Sequence, residues 1–181
     1  MTRARSVLVL GGARSGKSAF AQKLAEAAAP ERLYLATGAA LDEEMAARIA
    51  RHRAGRGAGW TTREEPLALA EALAEEARLG RVLVVDCLTL WLSNCLIAGR
   101  DLADDLARLV AALRAARGPV ILVSNEVGSG IVPASSLGRA FRDWQGRLNQ
   151  QAGEACDAAL LVVAGLPLAL KPAPPVHLVL E

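Results

Sequence analysis

A glycine-rich octapeptide constrains this chain more than anything else in it. Gly11-Gly12-Ala13-Arg14-Ser15-Gly16-Lys17-Ser18 matches GxxxxGK[ST] between a short apolar run, Ser6 to Leu10, and a segment of helical periodicity, Lys17 to Ala28. Glycines let the backbone curl until successive N–H groups face phosphate oxygens, and the following helix turns its positive dipole end to the same anion. Lys17 then reaches the β- and γ-phosphates as a flexible ammonium, and the Ser18 hydroxyl is placed to ligate Mg²⁺. The basic side chains are 18 arginines and only three lysines, Lys17, Lys23 and Lys171. A lysine kept in this loop is therefore informative, because arginine's planar fork would not substitute there. The pattern predicts a nucleoside-triphosphate site.

Further apolar runs follow at Leu33–Ala36, Val82–Val85, Val120–Val123 and Leu160–Val163, each nearly continuous in aliphatic residues. Such runs suit strands buried on both faces of a parallel sheet. Between them, Asp42–Arg53, Pro66–Leu79, Asp101–Arg117 and Leu137–Ala155 have helical character, with Asp42 a candidate N-cap, Pro66 in a first turn and Gly80 as a stop. Alternating strands and helices predict an α/β, three-layer P-loop domain over residues 1–171. Leu166–Leu170 suits an antiparallel edge strand after a tight turn. Residues 172–181 form an extension, either an arm or a further edge strand, since Pro172 to Pro175 cannot continue the ladder.

Asp86 closes the run Val82–Val85 and is the candidate Walker-B carboxylate, holding Mg²⁺ directly or through water. Ser124-Asn125-Glu126 closes the run Val120–Val123 and is expected at the same carboxyl edge, where open α/β sheets bind ligands. A formal net charge of +2 lacks the basic excess of a nucleic-acid-binding protein. Cys87, Cys95 and Cys156 have neither CxxC nor zinc-type spacing and read as reduced, buried thiols. No run approaches the ~18 apolar residues of a membrane span, and the chain reads as cytoplasmic. It is too short for an ABC- or AAA-type engine with accessory domains, and it lacks an NKxD-like guanine motif.

Three further stretches are distinctive: Ala36-Thr37-Gly38; Leu41 to Ile49 running into His52-Arg53-Ala54-Gly55-Arg56; and SNEVGSGIVP from Ser124 to Pro133. With GGARSGKS, Val82 to Thr89 and Phe141 to Gln150, they closely resemble the bifunctional adenosylcobinamide kinase/adenosylcobinamide-phosphate guanylyltransferase family of cobalamin biosynthesis. The likeness runs from about Val7 to Lys171.

The resemblance implies two reactions. The γ-phosphate of ATP or GTP goes to the hydroxyl of the aminopropanol arm of adenosylcobinamide. GTP then donates GMP through a guanylyl-histidine, which adenosylcobinamide phosphate displaces to give adenosylcobinamide-GDP. The family's histidine falls on His52, where some relatives have two adjacent histidines and this chain has Arg51 then His52. An imidazole with a pKa near ~6.5 is substantially neutral at pH 7 and can serve as both nucleophile and leaving group. Arg51, Arg53 and Arg56 favour that neutral form and offer charge to phosphate oxygens. The resemblance also implies nucleotide contacts from Gly11–Ser18, Ala36, Thr37, Gly38, Arg53, Ala54, Gly55, Arg56, Glu64 and Asp86, with Ser18 and Asp86 toward Mg²⁺. It implies a RecA-like, mostly parallel sheet and a homotrimer. Departures are Gly38, where relatives often have serine; Gly57, where they have proline; and Asp86, where some have glutamate. The alternatives are a kinase-only member and a non-catalytic nucleotide-binding module. Trp91, Trp144 and the Gly128–Leu137 loop are candidates for the corrinoid face.

Overall fold

The central strands carry large aliphatic side chains on both sides, so both faces of their sheet must be covered. The computed structural model describes residues 4–38 and 57–172. In chain order it contains β1 (Ser6–Gly11), α1 (Lys17–Ala28), β2 (Glu31–Ala36), β3 (Trp60–Glu64), α2 (Leu69–Glu76) and β4 (Arg81–Asp86). There follow α3 (Leu88–Ile97), α4 (Leu102–Ala115), β5 (Val120–Asn125), α5 (Ser136–Ala155), β6 (Ala158–Val163) and β7 (Leu166–Lys171). Seven strands form one sheet in the order β3-β2-β4-β5-β1-β6-β7. All neighbours are parallel except β6 and β7, which are antiparallel. The expected three layers and the antiparallel last strand are both present.

The period-2 alternation of strands sorts the core into two clusters. Leu8, Leu33, Leu35, Leu83, Val85 and Leu122 face α2, α3, α4 and α5. Val9, Tyr34, Val82, Val84, Ile121 and Val123 face α1, where Ala21 and Ala25 allow close approach. Cys87, Cys95 and Cys156 are free and buried, as their spacing predicted.

Local chemistry sets the helix ends. The Asp101 carboxylate accepts from Ala103 N at 3.0 Å and Asp104 N at 3.2 Å, and the Ser135 hydroxyl accepts from Gly138 N at 3.1 Å. α2 is shorter than the predicted Pro66–Leu79. Glu65 Oε1 accepts from Leu67 N and Ala68 N at 3.2 and 2.8 Å, holding a turn that delays the helix to Leu69. Two elements were not expected: the short, polar edge strand β3 and the helix α3. The predicted helix Asp42–Arg53 and residues 173–181 lie outside the described residues. No helix among the described residues is long and apolar enough to cross a membrane.

Candidate nucleotide site at the carboxyl edge of the sheet

β1 delivers Gly11 to the carboxyl edge, and the chain curls back before α1. Arg14 and Gly16 take left-handed backbone angles, with φ of 58° and 96°. Lys17 is 8% exposed, and its Nζ donates to Gly12 O at 2.9 Å, so the ammonium folds back over the loop. The loop is also propped from the far side. Gly165 N, in the β6–β7 turn, donates to Ser15 O at 2.8 Å. A Cβ on Gly16 would lie 3.1 Å from Gly165 Cα, and one on Gly11 only 2.7 Å from Val162 O. Glycine is required at both positions by this contact, and at Gly16 also by its positive φ.

Asp86 ends β4 and is half-buried. By alternation it shares the face of Val82 and Val84, the face that α1 covers. Its Oδ2 accepts from the hydroxyl of Tyr34 at 2.9 Å. Lys17 and Ser18 open α1, the helix that covers this face, and the Lys17 ammonium and the Asp86 carboxylate both act on Cys87 at the same edge. Mg²⁺ prefers oxygen donors and keeps several waters beside substrate phosphates, so one carboxylate and one hydroxyl are a fitting donor set. Burial pushes the Cys87 thiol up to about 11, the Asp86 charge adds to the shift, and the Lys17 ammonium opposes it. Cys87 is thus a neutral thiol at the floor of the site.

The Asp86–Cys87 peptide bond is cis, and Thr37 clasps the residue after it. Thr37 Oγ1 donates to Cys87 O at 2.6 Å and accepts from Cys87 N at 2.8 Å. Asn94, on α3, donates from Nδ2 to Thr37 O at 2.8 Å and to Pro66 O at 3.1 Å. Thr37 is fully buried, so its hydroxyl is committed to holding the edge.

The predicted residues do not form one tight cluster. Glu64, Ala36 and Asp86 lie in a row across β3, β2 and β4. Four inter-strand steps separate β3 from β1, about 19 Å at ~4.8 Å each. Exposed Glu64 therefore cannot touch a phosphate group held by the loop at β1. His52, Arg53, Ala54, Gly55 and Arg56 lie outside the described residues. Trp91 is 1% exposed and its indole N–H donates to Leu67 O at 2.9 Å, so it belongs to the core and not to a corrinoid face. Trp144 is half-buried beneath the Arg147 guanidinium, which lies 4.8 Å from its ring centroid. The Gly128–Leu137 loop does expose apolar side chains, Ile131 and Val132 among them. Sequence reasoning missed Tyr34, Thr89 and Asn94. Tyr34 had one available signal, as the sole tyrosine of the chain and near the end of a strand.

The family model of cobinamide kinase / cobinamide phosphate guanyltransferase matches residues 7–170. The chain belongs to that family. A relative in Pseudomonas aeruginosa, bifunctional adenosylcobalamin biosynthesis protein CobP, is 49% identical over 92% of this chain and 98% of its own length. The protein CobU of Salmonella typhimurium, of the same description, is 39% identical over 91% of this chain and 99% of its own. Family membership makes the chain an enzyme, one of a group named for a kinase and a guanylyltransferase activity. Solved structures place the fold. The assembled ATPase EscN of the enteropathogenic E. coli type III secretion system aligns over 89% of this chain at a TM-score of 0.56, with 12% identity. This chain spans only 43% of EscN. The RadB recombinase aligns over 86% of this chain and 73% of its own at 0.51, with 17% identity. At such identities the likeness is one of fold alone, the RecA-like P-loop domain of the cobinamide kinase family.

Proposed function

We propose that this chain carries out both transfers on adenosylcobinamide, using its loop for the phosphates and His52 as the guanylyl carrier. The observation that carries the reading is the nearness of Lys17, in the phosphate loop, and Asp86 to one another beside Cys87, in a chain matched to the family over residues 7–170.

In the kinase step, the hydroxyl of the aminopropanol arm attacks the γ-phosphorus of ATP or GTP. A new O–P bond forms, the bond to the β-phosphate oxygen breaks, and the nucleoside diphosphate leaves. Lys17 stabilises the charge that builds between β- and γ-phosphates, an electrostatic role needing no proton transfer. Ser18 and Asp86 would hold Mg²⁺, which supplies positive charge to the phosphate oxygens. In the second step, the neutral His52 imidazole attacks the α-phosphorus of GTP and pyrophosphate departs. A phosphate oxygen of adenosylcobinamide phosphate then displaces the imidazole, and adenosylcobinamide-GDP results. Arg53 and Arg56, with Ala54 and Gly55 between them, line the phosphates beside His52. Ala36, Thr37, Gly38 and Glu64 belong to the nucleoside side of the site. Residues 1–171 work as one domain, assembled as a homotrimer in the cytoplasm, with no nucleic-acid partner.

GTP labelled at the α-phosphate is expected to leave acid-labile, alkali-stable label on the protein, absent from His52→Ala. ATP labelled at the γ-phosphate is expected to label adenosylcobinamide. Absence of protein-bound label in the wild type with Mg²⁺ would overturn the guanylyl-histidine step. Absence of labelled corrinoid would overturn the kinase step. Light scattering at other than three chains would overturn the trimer.

A further inference from the structure

Asp86 is held twice from the β2 side of the sheet. Thr37 N donates to its backbone carbonyl at 3.3 Å, and the Tyr34 hydroxyl donates to its Oδ2 at 2.9 Å. β2 and β4 run parallel with Tyr34 opposite Val84 and Ala36 opposite Asp86. Alternation puts Tyr34, Val84 and Asp86 on one face, with the tyrosine two residues back from the carboxylate. Two residues of strand span about 6.6 Å, an offset that a phenol side chain covers.

The buried cluster around Tyr34 is aliphatic but for Cys87, with Ala25, Val82 and Val84 among its members. A phenylalanine would satisfy such surroundings, and a hydroxyl buried there costs free energy unless it is bonded. Tyr34 is 6% exposed and is the sole tyrosine of the chain. Its ring is fixed from the far side by Trp60, which meets it edge-on with centroids 6.3 Å apart at 72°. Trp60 is held in turn, because its Nε1 donates to Glu26 Oε1 at 3.1 Å and the Arg32 guanidinium lies 5.5 Å from its ring centroid. A well-seated donor therefore meets a carboxylate that is only half-buried and would otherwise turn about its own bonds.

That restraint has a consequence for a bound cation. Mg²⁺ demands near-ideal octahedral geometry, whereas Ca²⁺ accepts carboxylate oxygens in variable number and arrangement. A carboxylate oriented in advance favours the stricter ion. Hydrogen-bond partners that orient metal ligands typically change metal affinity by about 10- to 100-fold.

We propose that Tyr34 is a positioning residue for Asp86, a phenol that sets the carboxylate for Mg²⁺ and thereby favours Mg²⁺ over Ca²⁺ beside the triphosphate. The hydroxyl engages Oδ2 and leaves Oδ1 for the cation, directly or through water. The assignment rests on the reading of Ser18 and Asp86 as the Mg²⁺ residues and adds what makes that pair selective.

The test uses the full-length protein and Tyr34→Phe, which keeps the ring against Trp60 and removes only the hydroxyl. ATP affinity is measured by titration calorimetry in EDTA, with Mg²⁺ and with Ca²⁺, and no corrinoid is needed. In the wild type, Mg²⁺ is expected to tighten ATP binding more than Ca²⁺ does. In Tyr34→Phe the gain from Mg²⁺ should shrink about tenfold and the gain from Ca²⁺ no more than about threefold, with affinity in EDTA within about twofold. In an Asp86→Asn background, Tyr34→Phe should alter the Mg²⁺ gain less than about twofold, since the phenol acts through the carboxylate.

A wild-type Mg²⁺ gain that Tyr34→Phe leaves intact would overturn the role of Tyr34 and spare the reading of Asp86. Equal losses for the two ions would overturn the selectivity. Equal losses with and without metal, together with a lowered unfolding midpoint, would make Tyr34 a packing residue and overturn the proposal. A wild type whose ATP affinity ignores Mg²⁺ would overturn the reading of Ser18 and Asp86, and the role of Tyr34 with it.

Discussion

The hydroxyl of Thr37 and the backbone of Cys87 exchange two hydrogen bonds, at 2.6 and 2.8 Å, in a site from which water is excluded. They join the end of β2 to the end of β4, so the position of Asp86 depends on a residue at the end of the neighbouring strand. Thr37→Val keeps the shape and removes both bonds. Cys87 O keeps the N–H of Trp91 at 3.2 Å, so the loss is that of one bond and of the partner of the buried Cys87 N–H, about 2 kcal/mol. Urea unfolding at constant m should report that loss, and Thr37→Ser should restore most of it.

Lys17→Ala should remove the main cation from the β/γ end of the loop. Steady-state kinetics should show the kinase kcat/KM down by about 10³-fold, equivalent to ~4 kcal/mol of transition-state stabilisation. Lys17→Arg should recover little, because a planar fork does not fit where the ammonium folds onto Gly12 O.

Lys171 is the second lysine with a specific task. Its Nζ donates to Gly153 O, Glu154 O and Cys156 O at 3.1, 2.8 and 2.5 Å, satisfying carbonyls at the last turn of α5. Lys171→Met should lower stability by about 1–2 kcal/mol while leaving nucleotide affinity unchanged. Thermal unfolding and nucleotide titration on the same preparations check the pair of outcomes.

Acid should weaken the fold through Asp105. The Arg100 guanidinium holds it by two bonds, Nε to Oδ2 at 2.7 Å and Nη2 to Oδ1 at 2.5 Å, and lowers its pKa against a smaller opposing effect of burial. A carboxylate depressed in the folded state gives stability that is full above its unfolded pKa of ~3.9 and is lost as pH falls through the folded value. Urea midpoints should therefore be flat from about pH 7 to about pH 5 and drop below about pH 4. Asp105→Asn should be less stable at neutral pH and show a shallower acid decline.

The layout was legible where chemistry is local. The phosphate loop, the aliphatic strands and Asp86 each announce themselves within a few residues, and α1 occupies the predicted Lys17–Ala28. Elements without a local signature were missed. α3 is apolar around most of its circumference, since Leu90, Leu96 and Ile97 lie off the buried stripe of Leu88, Trp91, Leu92 and Cys95, so it offers no broad polar face to mark its period. β3 is an edge strand of mixed polarity, defined by pairing with β2 and not by its own composition. The site divides the same way. Lys17, Ser18 and Asp86 are pattern residues, whereas the clasp of Thr37 on Cys87 and the bond from Asn125 N to the Thr89 hydroxyl exist only once distant segments are side by side. His52 rests on the family motif, since it lies outside the described residues.

Hairpin tips are ordinarily where a chain tolerates a cut or a graft. The Ala164–Gly165 tip is different, because Gly165 N is bonded to Ser15 O and its backbone fills the space beside Gly16. The last two strands thus act as a brace for a loop residue 150 positions earlier in the chain (Gly165 against Ser15). A protein engineer who chose this surface turn for a tag or a permuted terminus would disturb nucleotide binding without touching a nucleotide contact.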